Sequence, residues 1–236
     1  MFLAALMLVL TLNGEVHAGE IIGGNVVKQY SRPYMVLLEW RNQMNVTEYC
    51  GGFLLSEDFV MTAAHCWATS YRVFLGLHSF RDNEKIVLTV KQAFPHKEYS
   101  NQTYQNDIML LKLSTKATFS NRVKPIPLAD QEGDSLPKSC SVAGWGPTSI
   151  NGPLSNKLME VNVTLTDDEQ CVKQNVYCSK GKGPYIGDSG GPLVCEDGKA
   201  YGVVSQGMIL SSDSILCTYT KIPDSREWIT YIMGEI

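Results

Sequence analysis

The sequence predicts an all-β fold. Short runs of β-branched and aromatic residues recur along the chain, and turn-forming segments separate them. Within 85–90, the residues Ile86, Leu88 and Val90 alternate with other residues, so they would share one face of a strand. One segment, 224–233, has the pattern of a good helix, and Asp224 is a suitable N-cap for it. The predicted strands are, in order, 71–76, 85–90, 108–113, 139–143, 160–165, 192–195 and 200–205.

Length and composition limit the architecture. The chain has 236 residues, of which 44% are hydrophobic, and this is enough to bury a core in one or two units. The segment 121–137 contains three prolines between two strand-rich halves, which predicts a linker there. The formal net charge is −4, so the composition does not indicate a strongly basic surface for nucleic acid.

The N-terminus has the features of a signal peptide. Residues 2–12 are mainly apolar, and Val16 and Ala18 place small residues at the −3 and −1 positions of a cleavage site. We therefore expect residues 1–18 to be removed and the chain to enter the secretory pathway. The alternative, an N-terminal membrane anchor, is disfavoured because the apolar run is too short to span a bilayer.

Cysteines and sequons fit a secreted protein. Seven cysteines indicate disulfides and one odd thiol, although their spacing leaves the connectivity open. The four histidines are dispersed, and no spacing suited to a metal is present. Three Asn-X-Thr sequons make glycosylation candidates of Asn45, Asn101 and Asn162.

Three short motifs carry the chemistry. Residues 62–66 have the sequence Thr-Ala-Ala-His-Cys, residues 106–111 Asn-Asp-Ile-Met-Leu-Leu, and residues 187–192 Gly-Asp-Ser-Gly-Gly-Pro. A serine hydroxyl is a poor nucleophile at neutral pH and needs a base to take its proton. His65 is suited to be that base for Ser189, and Asp107 is suited to fix the imidazole tautomer.

The chain resembles the chymotrypsin/trypsin-like serine proteases in these motifs and in their order, His, Asp, Ser. The resemblance extends from residues 21–24, Ile-Ile-Gly-Gly, to residues 227–229, Glu-Trp-Ile. It implies two antiparallel six-stranded Greek-key β-barrels with a C-terminal helix and the active site between the barrels. The barrels would comprise 21–120 and 121–236, which together form one peptidase domain without a cofactor or metal.

The resemblance also assigns further roles. It implies an oxyanion hole formed by the N–H groups of Gly187 and Ser189, and a substrate-binding strand at Ser205, Gln206 and Gly207. It implies the disulfides Cys50–Cys66, Cys140–Cys195 and Cys171–Cys178, with Cys217 left over.

The activation segment points to a sub-class. The resemblance implies that Asp188 pairs with the α-amino group of Ile21 once that group is freed. No Lys or Arg precedes Ile21, and the dipeptide Gly19-Glu20 resembles that of granzymes and of mast-cell or other granule proteases. We therefore expect a zymogen that a dipeptidyl peptidase activates. The alternative is that Gly19-Glu20 is merely the tail of the signal peptide.

The resemblance also locates the primary specificity pocket. Its base would be Gly183, six residues before the nucleophile, and its far wall would include Cys217, with a thiol that reagents could modify. Neither residue carries a charge, which predicts an apolar pocket. Two alternatives remain, because the span from Cys178 to Ser189 is short. Lys180 or Lys182 could reach the pocket and favour acidic residues, or the pocket could be shallow and select small ones.

The predicted function is thus that of a secreted or granule-stored serine endopeptidase. Its partners would be protein or peptide substrates, an activating dipeptidyl peptidase and serpin-type inhibitors, with no nucleic acid, no transmembrane segment in the mature chain, and a monomeric state. Two other classes compete with this prediction: a catalytically silent binding or cytotoxic homologue, and a structural disulfide-rich module. The intact set of His65, Asp107 and Ser189 weighs against both.

Overall fold

The computed structural model describes residues 24–130, 138–149, 152–184, 186–211 and 214–234. Its first β-structure is a closed barrel of six antiparallel strands in the order β2-β3-β4-β7-β6-β5. These strands are β2 (Met35–Arg41), β3 (Thr47–Leu54), β4 (Phe59–Thr62), β5 (Arg72–Leu75), β6 (Ile86–Pro95) and β7 (Met109–Leu113).

The second β-structure is a seven-stranded antiparallel sheet in the order β1-β9-β8-β11-β12-β13-β10. Its members are β1 (Asn25–Val26), β8 (Ser139–Gly144), β9 (Met159–Thr164), β10 (Val176–Gly181), β11 (Pro192–Cys195), β12 (Ala200–Ser211) and β13 (Ser214–Lys221). A bridge between Leu165 and Ser179 brings the end of β9 to β10, so six of the strands curl toward a barrel. The short strand β1 pairs with β9 and therefore joins this sheet, although the resemblance placed residues 21–120 in the first barrel.

The burial of side chains follows the sequence pattern. In β6, Ile86, Leu88 and Val90 are partly buried against the first core, whereas Val87 and Thr89 are exposed, as the alternation predicted. A separate cluster joins the two β-structures, with Trp145 packed among apolar side chains from both of them. This apolar cluster packs the two β-structures against each other and helps to fix the relative placement of the loops that emerge beside it.

Helices are few. α1 (Glu169–Gln174) is capped by Asp168, whose side chain accepts a hydrogen bond from the Gln170 N–H. At the C-terminus a 3₁₀ turn, Pro223–Ser225, precedes α2 (Arg226–Gly234). The predicted N-cap at Asp224 is wrong, because Asp224 lies inside this turn and its carboxylate accepts a hydrogen bond from Asn175 Nδ2 at 2.6 Å.

The terminal helix α2 packs on the first barrel. Ile229 belongs to that barrel's core cluster, and the Trp228 ring lies 5.0 Å from the ring of His96. The C-terminus thus ties the second half of the chain to the first. Neither α1 nor α2 has the length and apolar character needed to cross a bilayer, nor does any other helix in the described ranges.

Candidate active site

The pairing of β4 with β7 brings His65 and Asp107 together. Thr62, at the end of β4, lies opposite Met109, at the start of β7. His65 follows in a short 3₁₀ helix, Ala64–Cys66, and Asp107 lies two residues before the start of β7, so both side chains emerge at the same end of the barrel. His65 Nδ1 lies 2.7 Å from Asp107 Oδ2, and the His65 backbone N–H donates to Asp107 Oδ1 at 2.9 Å. Both carboxylate oxygens therefore hold the histidine in one orientation.

A third group reaches the same carboxylate from the second sheet. Ser205, in β12, donates its hydroxyl hydrogen to Asp107 Oδ2 at 2.6 Å. Asp107 is fully buried, and hydrogen bonds to its ionised form offset the cost of removing that charge from water. From sequence, Ser205 was expected only in a substrate-binding strand. No sequence pattern indicated the hydrogen bond that Ser205 makes to Asp107, because the periodicity of a strand does not show which residues of another sheet it contacts.

Ser189 lies in the loop between β10 and β11, and its backbone contacts the first barrel near the segment that carries His65. Its carbonyl oxygen accepts a hydrogen bond from the Gly51 N–H at 2.7 Å and lies 3.9 Å from Sγ of Cys66, the neighbour of His65. The next residue, Gly190, has a φ of +84°, and a Cβ there would overlap Gly51 and Thr62. A glycine is needed at this position because the two β-structures approach each other so closely.

The carboxylate of Asp188 points away from this group of residues. It is fully buried, and its Oδ1 accepts a hydrogen bond from the Gly146 N–H at 2.7 Å. A Cβ on Gly144 or Gly146 would overlap this carboxylate, so the two glycines leave room for a charged group in the interior. Its predicted partner, Ile21, lies outside the described residues, as do the signal peptide 1–18 and the dipeptide 19–20.

Gly187 has a φ of +95°, which suits a glycine two residues before Ser189. A side chain here would also collide with Leu154, since a Cβ would lie 2.8 Å from its Cδ2. Both the backbone conformation and the space beside Leu154 therefore require a glycine at this position. An aromatic neighbour that the sequence did not indicate is Tyr104, whose ring stands edge-on to that of His65 at 5.8 Å.

Three disulfides join the cysteine pairs that the resemblance implied, Cys50–Cys66, Cys140–Cys195 and Cys171–Cys178. The first closes a loop with a sequence separation of 16 and holds the segment that carries His65. In the chain-entropy model a loop of about this size contributes roughly 3 kcal/mol of stability. The second joins the neighbouring strands β8 and β11, just beyond the Ser189 loop.

Cys217 and Gly183 lie against each other. A Cβ on Gly183 would be 2.9 Å from Cys217 Sγ, and this thiol contacts the Pro184 carbonyl oxygen at 3.4 Å. Burial raises the pKa of Cys217 to about 12. The sequence-based expectation of an accessible thiol is therefore wrong, because Sγ is covered by residues 183 and 184. The thiol occupies space beside the expected base of the pocket.

The two lysines proposed as alternative pocket groups are both exposed. Lys180 lies in β10, and its Nζ bonds to the Asp168 carboxylate at 2.6 Å. Because Lys180 is paired with the N-cap residue of α1, the alternative in which Lys180 selects acidic substrates is disfavoured.

The remaining site residues occupy exposed positions. Gln206 and Gly207 lie in β12, opposite Thr218 and Cys217 of β13, and both are exposed. Each of the three sequon asparagines is also exposed, which a glycan requires: Asn45, Asn101 and Asn162.

Comparisons with known proteins agree with this geometry. Mast cell protease 3 of Ovis aries is 41% identical over 244 residues, which cover 98% of this chain and 96% of that protein. Granzyme B of Rattus norvegicus is 39% identical over the full length of both chains, and chymase of Papio hamadryas is 39% identical over 96% of each. A solved structure described as "Structure of GrC" superposes with a TM-score of 0.82 at 35% identity, covering 91% of this chain and all of that one.

The trypsin family model matches residues 21–229. This range contains both β-structures, the His65–Asp107–Ser205 hydrogen bonds and the Ser189 loop. The chain therefore belongs to the trypsin family and is a serine-type endopeptidase.

Proposed function

We propose that the mature chain, 21–236, is a secreted or granule-stored endopeptidase that cleaves peptide bonds through an acyl-enzyme on Ser189. The supporting observation is the buried carboxylate of Asp107, which binds His65 Nδ1 at 2.7 Å beside the Ser189 loop. The predicted domains, 21–120 and 121–236, would each supply part of this site.

The proposed mechanism follows from these contacts. Because Asp107 engages Nδ1 of His65, the other ring nitrogen, Nε2, is the one that accepts a proton. As Ser189 Oγ attacks the peptide carbonyl, Nε2 takes its hydrogen, and the N–H groups of Gly187 and Ser189 stabilise the oxyanion. The imidazolium then protonates the leaving amine. A water molecule, deprotonated by the same nitrogen, releases the acid product from Ser189.

Activation would require removal of Gly19-Glu20 by a dipeptidyl peptidase. The amine freed at Ile21 would pair with Asp188, whose carboxylate is already buried against Gly146. A buried carboxylate gains from a charged partner, and this pairing would order the adjacent Gly187 and Ser189 N–H groups. Serpin-type inhibitors are proposed as partners of the activated, monomeric enzyme.

The protein that begins at Gly19 should turn over a peptide substrate at least about a hundredfold more slowly than the protein that begins at Ile21. Loss of one oxyanion donor costs about 10²–10³ in kcat, and the unprocessed form would lack an ordered donor pair. Asp188→Asn should reduce the activity of the processed form similarly, whereas Asp197→Asn, in the exposed turn between β11 and β12, should not. Equal kcat values for the two wild-type forms would contradict this activation model.

The processed protein should prefer Phe, Tyr, Leu or Met before the cleaved bond over Arg, Lys, Asp or Glu. Gly183, the expected base of the pocket, carries no charge, and the uncharged thiol of Cys217 lies against it, so a charged substrate side chain would lose its hydration without a partner. A library of peptides that vary at this position provides the measurement. Preferred cleavage after Arg or Asp would show that the pocket is assigned wrongly.

Cys217→Gly should deepen this pocket and shift the preference toward the larger aromatic side chains. Removing Sγ from beside Gly183 frees room for about one methylene group, which corresponds to a three- to tenfold change in the ratio of kcat/KM for Phe over Leu. Cys217→Ser has nearly the same volume and should leave the ratio unchanged. If the ratio of kcat/KM for Phe over Leu were the same in Cys217→Gly and in the wild type, Cys217 would not contribute to the pocket.

A further inference from the structure

The strand β12 has an edge that opens at the active site. Its pairing with the segment before β11 ends where the Gly190 N–H donates to the Val204 carbonyl oxygen at 2.8 Å, one residue after Ser189. Beyond that point β12 continues as a strand to Ser211, and β13 pairs with one of its edges. From Gln206 to Leu210, none of the described strands pairs with the other edge.

The backbone groups that face this edge follow from alternation. The Gln206 N–H donates to Thr218 Oγ1 at 3.2 Å, so it faces β13. Because successive residues of a strand direct their N–H and C=O groups to opposite sides, those of Gly207 and Ile209 face the open edge. Two residues thus offer donor and acceptor pairs to an added strand, spaced about 7 Å apart along β12.

The side chains along the same segment are apolar and exposed. Met208 is 57% exposed, Ile209 43% and Leu210 50%. Their partners in β13, Leu216 and Ile215, are buried, so the hairpin is anchored in the second sheet while its outer strand remains accessible. Three consecutive exposed apolar residues on an open strand edge are suited to cover an extended apolar peptide.

We propose that the Gly207–Ile209 edge of β12 binds the fifth and sixth substrate residues before the cleaved bond as an added antiparallel strand, and that it prefers apolar side chains there. This inference rests on the proposed function. A peptide antiparallel to β12, with its cleaved bond at Ser189, runs from Ser205 toward Leu210 as it is followed to its N-terminus. If Gly207 pairs with the third residue before the cleaved bond, Ile209 pairs with the fifth and Leu210 lies opposite the sixth.

The proposal predicts that kcat/KM rises when the peptide is lengthened before the cleaved bond, but only if the added residues are apolar. Two peptide series share the four residues before the cleaved bond and the residues after it. One series adds Leu at the fifth and sixth positions, and the other adds Ser at both. We expect kcat/KM of the processed enzyme to rise about tenfold with the two Leu residues relative to the four-residue peptide, and to change little with Ser.

The backbone pairing has its own test. In an added strand, the fifth residue directs its N–H to Ile209, and the sixth directs its N–H away from β12. N-methylation of the fifth residue should therefore abolish most of the gain, whereas N-methylation of the sixth should preserve it. Equal losses, or no loss, would show that the extension binds without forming a strand.

Variants localise the effect. Ile209→Ser and Leu210→Ser should reduce the ratio of kcat/KM for the six-residue over the four-residue peptide, and Phe119→Ser, at a comparably exposed apolar site in another part of the chain, should leave it unchanged. An enzyme that cleaves the four-residue peptide but gains nothing from the Leu extension would overturn this inference alone. Failure to cleave any peptide, together with no labelling by a fluorophosphonate probe, would instead contradict the proposed function.

Discussion

Replacement of Ser189 by alanine should lower kcat by about a millionfold, or about 8 kcal/mol of barrier. The Ser189 loop is held against the first barrel, because the Ser189 carbonyl oxygen accepts a hydrogen bond from the Gly51 N–H at 2.7 Å and lies 3.9 Å from Cys66 Sγ. The remaining activity would come from binding and from the oxyanion donors alone. Single-turnover measurements on the processed protein are sensitive enough to detect it.

The fold should survive this change. Removing one hydroxyl from a partly exposed loop leaves the three disulfides and both cores intact. The midpoint of thermal unfolding should therefore match that of the wild type, and the exposed-site control Ser114→Ala should retain full activity. If the Ser189 variant kept more than a few per cent of wild-type kcat, another residue would have to be the nucleophile.

Asp107→Asn should reduce kcat by about 10⁴-fold while leaving substrate binding nearly intact. Oδ2 of Asp107 accepts hydrogen bonds from the His65 ring and from Ser205, and Oδ1 accepts one from the His65 backbone N–H. An asparagine has only one acceptor oxygen, so its NH₂ group would face a hydrogen-bond donor on one of these two sides. The imidazole would then turn or adopt the wrong tautomer. Its Nε2 would carry a hydrogen and could not accept one from Ser189.

A matched variant, Ser205→Ala, separates the effect of the Asp107 charge from the effect of the hydrogen bond that Ser205 donates to it. Ser205→Ala removes one hydrogen bond to Asp107 but retains the carboxylate, so its loss in kcat should be about ten- to a hundredfold. Comparison of kcat and KM for the two variants distinguishes them. Should Asp107→Asn fall no further than Ser205→Ala, the carboxylate would not be orienting the base.

Much of the fold was predictable because its signals are local. The strand at 192–195 was predicted with the bounds that the structure gives, and the alternation in β6 identified its buried face. β2, β3 and β4 were not predicted from the pattern, since their continuous burial removes the period-two signal. Helix α1 has only six residues, too few for a helical period to be recognised.

In the candidate site, too, some residues were identified from the sequence and others only from the structure. His65, Asp107 and Ser189 lie in three short motifs that resemble those of the trypsin-like proteases, and it was this resemblance that implied a common site. The hydrogen bond from Ser205 to Asp107, the ring of Tyr104 and the inward packing of Cys217 depend on contacts between distant segments. No local pattern encodes such contacts, and the structure was needed to find them.

The seventh cysteine, Cys217, also affects whether the native disulfide pairing is preserved. In an unfolded chain Cys217 competes with the other six, and seven thiols allow about seven times as many sets of three pairs as six do. Once β13 is in place, the thiol is buried and its pKa is about 12, so the thiolate that attacks disulfides is scarce. Packing of the second sheet therefore protects the native disulfides from exchange. It removes the one internal nucleophile that could exchange with Cys140–Cys195 or Cys171–Cys178 and scramble a finished molecule.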